Sequence, residues 1–204
     1  MNLFVTGTDT SVGKTIVSSI LCLKLNWKYW KPIQSGTSEI TDSNFVKEFA
    51  NPKEVIQESY CLRSPLSPHT SSEMEGIKID LDLILDRAKG MDKTVIEGAG
   101  GLLVPINRDF LVIDLIQKLK IRPLLVSRSG LGTINHTLLS IEALRNRKIE
   151  PLGVVMVGEK NQANRISIES YGKIKVLGEV PLLPKIDRSV LVEAGKLIEY
   201  KGEN

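Results

Sequence analysis

Histidine, cysteine and aromatic side chains are scarce in this chain: two His, two Cys and 5% Phe, Trp and Tyr in 204 residues. His69 and His136 are too few for a histidine-ligated zinc site. Cys22 and Cys61 lie far apart and form no C-x-x-C pair, which points to reduced, structural thiols in a cytoplasmic protein. No apolar run approaches the roughly 18 residues that suggest a membrane span. No cationic stretch precedes Leu3 either, so neither a spanning helix nor an export leader is expected. Charge of one sign is also lacking. The 27 Lys and Arg against 24 Asp and Glu leave +3 with no clustered patch, which argues against nucleic acid as a partner. Repeats, low-complexity tracts and linkers are absent, so one domain over 1–204 is expected, with 42% hydrophobic residues to build its core.

The first informative stretch comes early. Leu3 to Val5 is a short apolar run, cut off by Gly7 and followed by Thr-Asp-Thr-Ser-Val-Gly13-Lys14-Thr15. Ile16, Val17, Ile20, Leu21 and Leu23 then recur at near-helical spacing. The pattern predicts a strand, a tight loop and a helix N-terminus in succession. That arrangement cradles phosphates: free N–H groups and the helix dipole face the anion, Lys14 adds a cation, and the Thr15 hydroxyl can ligate Mg²⁺. The match to G-x-x-x-x-G-K-[ST] is offset, because Thr8 occupies the first glycine position and Gly7 sits one residue back.

Further along, Trp27 to Pro32 reads as a strand stopped by Pro32, with Lys31 to Gly36 as the loop at its carboxyl end. Asp42 opens a helix to Ala50, as its N-cap. The proline- and serine-rich segment Cys61 to Ser72 reads as a loop over a site or a connector. Asp80 caps a helix that Gly90 ends. Thr94-Val-Ile-Glu97 is a hydrophobic strand ending in a carboxylate, followed by the glycine-rich turn Gly98-Ala-Gly100-Gly101. An acid at a strand end near phosphates suits Mg²⁺, which prefers hard oxygen ligands. Helices are expected at Val112 to Leu119, from about Ile134 to Leu144, at Ala163 to Tyr171 and at Ser189 to Tyr200. Strands are expected at Pro123 to Ser127, Leu152 to Val157 and Val176 to Val180. The Gly130 to His136 loop opening a helix is another ready anion site, or a plain strand–helix connection. Strands alternating with helices imply an α/β fold with a mostly parallel sheet covered on both faces.

Four blocks occur in order: Gly7-Thr-Asp-Thr-x-x-Gly13-Lys-Thr15, Lys31-Pro-x-x-Ser35-Gly36, Glu97-Gly-Ala-Gly-Gly101 and Gly132-x-Ile-Asn-His136. With Ser67-Pro-His69 they closely resemble the dethiobiotin synthetase family, over residues 1 to about 184. The resemblance implies a three-layer, P-loop NTPase-like fold. It implies a homodimeric ligase that closes the ureido ring of 7,8-diaminononanoate with CO₂, ATP and Mg²⁺, through a carbamate and a carbamic-phosphoric anhydride. By the same carry-over, Lys31 holds the carbamate and γ-phosphate oxygens and Lys14 the phosphates. Thr15, Asp42 and Glu97 ligate the metal. Ser11, Val12, Gly13, Ile16, Gly98, Ala99 and Gly100 join them around the nucleotide, and Pro181, Leu182 and Leu183 meet the base. Ser35 touches the diamine, and N–H groups around Gly132, Thr133 and Asn135 take its carboxylate from the partner subunit.

Two departures from the family pattern follow. Ser11 stands where the family often carries an acid in the phosphate loop. The strand Gly153-Val-Val-Met-Val157 ends in valine, where many members have an asparagine that reads adenine; valine cannot hydrogen-bond a base, so relaxed nucleotide selectivity is expected. The rival reading is a ParA/MinD-type P-loop switch ATPase. That branch places an extra lysine early in the loop, where this chain has Asp9.

Overall fold

The computed structural model describes residues 1–202. The first half of the chain runs β1 (Asn2–Gly7), α1 (Lys14–Leu25), β2 (Lys28–Trp30), β3 (Ile33–Ser35), α2 (Asp42–Phe45), β4 (Val55–Ile56), β5 (Tyr60–Leu62), α3 (Pro68–Met74) and α4 (Leu81–Ala88). The second half runs β6 (Thr94–Gly101), α5 (Val112–Leu119), β7 (Pro123–Arg128), α6 (Thr133–Asn146), β8 (Gly153–Val157), α7 (Gln162–Gly172), β9 (Val176–Val180) and α8 (Arg188–Gly195). Seven strands form one sheet in the order β4-β2-β6-β1-β7-β8-β9, and every pairing in it is parallel. No helix among the described residues is long and apolar enough to cross a membrane.

Central strands are apolar at successive positions because both faces of the sheet are covered, and neighbouring side chains point to opposite faces. Leu3 and Val5 join one core cluster while Phe4 joins another. Leu124 and Val126 likewise alternate with Leu125. Helices α1 and α8 bury Val17, Ile20, Leu191 and Ala194 on the first face. On the opposite face lie α4 and α5, with Ile84, Ile113 and Ile116, and then α6 and α7, with Ile141 and Ile168. The result is helix, sheet, helix: the expected three layers.

Strand β1 lies between β6 and β7: the early strands β2 and β4 are laid down on one side, with β6 later filling the place next to β1, and β7, β8 and β9 follow in order on the other. A crevice therefore opens at the carboxyl end of β1, as in other doubly wound sheets. The loop after β1 begins there, with the Thr8 N–H donating to Val126 O at 2.9 Å.

Several local expectations need correction. Residues Ile33–Ser35 are not loop: they form β3, which pairs in parallel with β5 (Tyr60–Leu62) in a separate two-stranded sheet. That pairing joins segments remote in sequence, so local pattern could not reveal it. Within the segment expected as a loop, Pro68 begins the short helix α3, at the first helical position where proline's missing N–H costs nothing. The helix from Asp42 is capped by Thr41, whose side chain accepts from the Asn44 N–H; Asp42 is the first helical residue, and a π-helical turn (Val46–Ala50) continues the helix. Strand β6 runs on through its glycines to Gly101 rather than turning after Glu97. The closing helix stops at Gly195, because Ile198 returns to pair antiparallel with Gly178 and covers the edge of β9. A Cβ on Gly178 would lie 2.4 Å from Leu197 O, so only glycine lets that segment approach.

Candidate active site

The loop from Thr8 to Gly13 is shaped by close approach. A Cβ on Gly7 would lie 2.8 Å from both Asp9 O and Val12 Cγ2. Gly7 thus fills the steric need that the usual motif meets one residue later. Gly13 takes a left-handed φ of 94°, and a Cβ there would press on Val157. No side chain caps α1 and no acid sits in its first turn, so its leading N–H groups are free to face an anion. Lys14 folds back over the loop, its Nζ donating to Asp9 O at 2.9 Å. Burial lowers its pKa, a shift that Glu97 and Asp42 partly oppose.

Beside this loop four side chains converge from four elements. Thr15 Oγ1, on α1, lies 2.5 Å from Asp42 Oδ1 and 2.9 Å from Glu97 Oε1. Lys31 Nζ, just past β2, lies 2.9 Å from Asp42 Oδ2 and 3.3 Å from Glu97 Oε1. Lys31 is 4% exposed and Glu97 1%. Burial alone would pull the Lys31 pKa down, but the charges of Glu97 and Asp42 outweigh it and hold the ammonium above the ordinary lysine value. Burial would likewise raise Asp42, yet Lys31 and the Thr15 hydroxyl keep that carboxyl below its ordinary 3.8. Beneath them Tyr29 donates to Glu97 Oε2 at 3.0 Å. Burial, with Glu97 alongside, holds the Tyr29 phenol well above its ordinary pKa.

Among the described residues no group of three or more His, Cys, Asp and Glu converges as a metal cage. Two carboxylates and a hydroxyl next to an anion cradle do fit Mg²⁺, which keeps several waters and completes its shell with substrate phosphates.

A cavity of about 660 Å³ opens over these groups. Thr10, Ser11, Gly13, Lys14, Thr15, Ile16, Lys31, Ser35, Asp42, Glu97, Ala99 and Gly100 all line it. The Ser35 hydroxyl is buried there with no hydrogen-bond partner, and an unpaired buried hydroxyl is costly unless a ligand meets it. Not every expected residue reaches the cavity. Val12 is buried under the loop, and Gly98 packs on Phe4, 2.9 Å from a would-be Cβ. Pro181 lines a separate small cavity with Gly158 and Glu179, while Leu183 packs with Ile16 and Val157 around the first core cluster. Leu182 is exposed. Gly132, Thr133 and Asn135 also stand outside, at the start of α6, where Gly132 is left-handed and Thr133 Oγ1 donates to Arg128 O. Within one chain the structure does not bring that loop to the Lys31 cavity.

Gln34 was missed in the sequence. Its Oε1 accepts from the Asp42 N–H at 3.2 Å while its Nε2 donates to Ser35 O and Gly36 O. It ties the Lys31–Gly36 segment to the start of α2 and so fixes Asp42. The only signal was its place inside the Lys31-Pro-x-x-Ser35 block. Ser67 and Pro68 also line the cavity; they lie in the proline- and serine-rich segment read as a loop over a site or a connector, and the resemblance singled them out within it.

Known proteins resemble this chain in sequence and in fold. A family model described as "AAA domain" matches residues 1–190. The ATP-dependent dethiobiotin synthetase BioD of Paramagnetospirillum magneticum is 46% identical over 189 residues, 93% of this chain and 92% of that protein. The enzyme of the same name from Lawsonia intracellularis is 46% identical over 94% of this chain and 93% of its own. Among solved structures, the Pyrococcus furiosus cell division ATPase MinD superposes with a TM-score of 0.59 at 10% identity, covering 96% of this chain and 97% of its own. A ParA family ATPase from Chlorobium tepidum gives 0.57, also at 10% identity, over 96% and 88%. At that identity the likeness is one of fold, and the fold is that of P-loop NTPases. Near-complete coverage at 46% identity places the chain in the dethiobiotin synthetase family.

Proposed function

We propose that the chain, as one domain over 1–204 and as a homodimer, closes the ureido ring of dethiobiotin from 7,8-diaminononanoate, CO₂ and ATP with Mg²⁺. Family membership makes the chain an ATP-dependent synthetase. What carries the finer reading is Lys31: a buried ammonium held at the mouth of the phosphate loop, in the same cavity as the unpaired Ser35 hydroxyl.

A carbamate approaching a triphosphate is repelled. Each charge pair at 4 Å costs about 1 kcal/mol in water and about 4 kcal/mol at an effective dielectric of 20. Lys31 and Lys14, with the N–H groups of the phosphate loop and the start of α1 from Ser11 to Ile16, offset this where charge builds up in the transition state. Magnesium held by Thr15, Asp42 and Glu97 supplies further neutralisation of the phosphate oxygens when bound. Ser35 orients the diamine so that its carbamate oxygen lies in line with the γ-phosphorus. Attack there releases ADP and leaves a carbamic-phosphoric anhydride. The second amine attacks the anhydride carbonyl carbon, phosphate departs, and the ring closes. Ala99 and Gly100 border the phosphates, while Pro181 to Leu183 offer backbone groups to the base beside Val157. The loop of Gly132, Thr133 and Asn135 serves the neighbouring subunit, where its N–H groups take the substrate carboxylate.

The ParA/MinD-type alternative shares the fold, but Asp9 stands where that branch carries its extra lysine. The test is phosphate release from ATP with diaminononanoate and bicarbonate. Release is expected to depend on the diamine; diamine-independent hydrolysis at the same rate would remove the synthetase reading.

A further inference from the structure

We infer that Tyr29 is a positioning residue for the metal-site carboxylate, its phenol holding Glu97 Oε2 so that Oε1 alone faces the Thr15–Asp42–Lys31 cluster. The inference rests on the reading of Glu97 as a magnesium ligand.

Strand register brings the two residues together. In the β2–β6 pair Tyr29 lies opposite Val95, and Glu97, two residues on, shares the face of Val95. A tyrosine side chain is long enough to reach that diagonal neighbour, and its hydroxyl meets Glu97 Oε2 at 3.0 Å. The division of labour on the carboxylate is complete: Oε1 receives Thr15 and Lys31, and Oε2 receives Tyr29. Tyr29 is fully buried and Glu97 nearly so, which leaves little room for bulk water to satisfy Oε2 or to choose the carboxylate rotamer. A donor that fixes the orientation of a metal-binding carboxylate typically changes metal affinity about 10- to 100-fold when removed. With Lys31 engaged by substrate, Tyr29 remains the donor anchored in the core.

The experiment measures Mn²⁺ affinity by electron paramagnetic resonance, with the full-length protein saturated with ADP. Tyr29→Phe keeps the ring in the core and removes only the donor. Its Mn²⁺ affinity is expected to fall about 10- to 100-fold, with metal-free ADP affinity and circular dichroism unchanged. Glu97→Gln is the reference. If it weakens Mn²⁺ binding and Tyr29→Phe does not, the inference falls alone. If Glu97→Gln itself leaves Mn²⁺ binding unchanged, the ligand reading falls and takes the inference with it. Should Tyr29→Phe not fold, the ¹³Cζ resonance of Tyr29 in labelled wild-type protein decides. It is expected to move when Mg²⁺ is added to the ADP complex, and no movement overturns the inference.

Discussion

Lys31 is held by two carboxylates, and neither is near it in sequence. Removing the ammonium leaves Asp42 and Glu97 facing each other and takes away the cation proposed to meet carbamate and γ-phosphate. Lys31→Ala is expected to lower the diamine-dependent kcat by at least about 10²–10³-fold. Its circular dichroism should match wild type and its ADP affinity should stay within a few fold; full activity would remove Lys31 from the mechanism. Asp42 gives a pH signature. Its carboxyl ionises more readily folded than unfolded, so on acidification the unfolded chain takes up the proton first. The stability it contributes is present above about pH 4 and is lost as pH falls through its depressed folded value. Melting temperatures from pH 5 to 3 should fall more steeply for wild type than for Asp42→Asn. Parallel curves would show that the pairing with Lys31 has no bearing on acid stability.

The phosphate loop was legible as an element because strand, loop and helix are contiguous there. Its offset glycine could be read there too, but not the reason for it, which lies in Val12 and Asp9 curling back against Gly7. Gly7→Ala is expected to cost about 1–3 kcal/mol by overpacking, seen as a Tm lowered by about 2–4 °C per kcal/mol, with weaker ADP binding. An unchanged Tm would mean the loop yields to the extra methyl. At the end of β8, Val157 supports Gly13 and offers a base no hydrogen bond. Comparable kcat/KM values for ATP, GTP and CTP are expected, and Val157→Asn should shift the preference toward ATP; a strong ATP preference in wild type would contradict this. Elements made by distant pairing stayed hidden: β3 with β5, and the return of Ile198 to Gly178. Short segments such as β4 (Val55–Ile56) are defined by pairing with a neighbouring strand, and two β-branched residues, though strand formers, are too few to announce a strand on their own.

At the scale of the molecule, the Gly132 loop stands away from the Lys31 cavity and beside exposed Leu131 and Leu139. In the proposed homodimer this loop serves the neighbouring subunit, so a defect at Lys31 and one at Gly132 should complement each other. Lys31→Ala and Gly132→Val, the latter resisted by the left-handed φ of 88°, should each be inactive alone. Mixed after reversible dissociation, they should recover up to about a quarter of wild-type activity, because half the dimers are hybrids and one of their two sites is intact. A mixture that stays inactive would confine the site to one chain.

The amino-acid sequence by itself determined the alternation of strand and helix, the phosphate loop and the strand-end acid Glu97, because contiguous spacing and residue chemistry are local properties; Lys31 and Asp42 stood out only through the resemblance to the synthetase family. Tertiary structure decided what those residues do to one another. Parallel register set Tyr29 under Glu97, Gln34 bound the segment of Lys31 to the helix of Asp42, and sheet order put four separate elements around one cavity. Such contacts depend on which strands become neighbours, and that is settled by burying both faces of the sheet at once rather than by any stretch read alone.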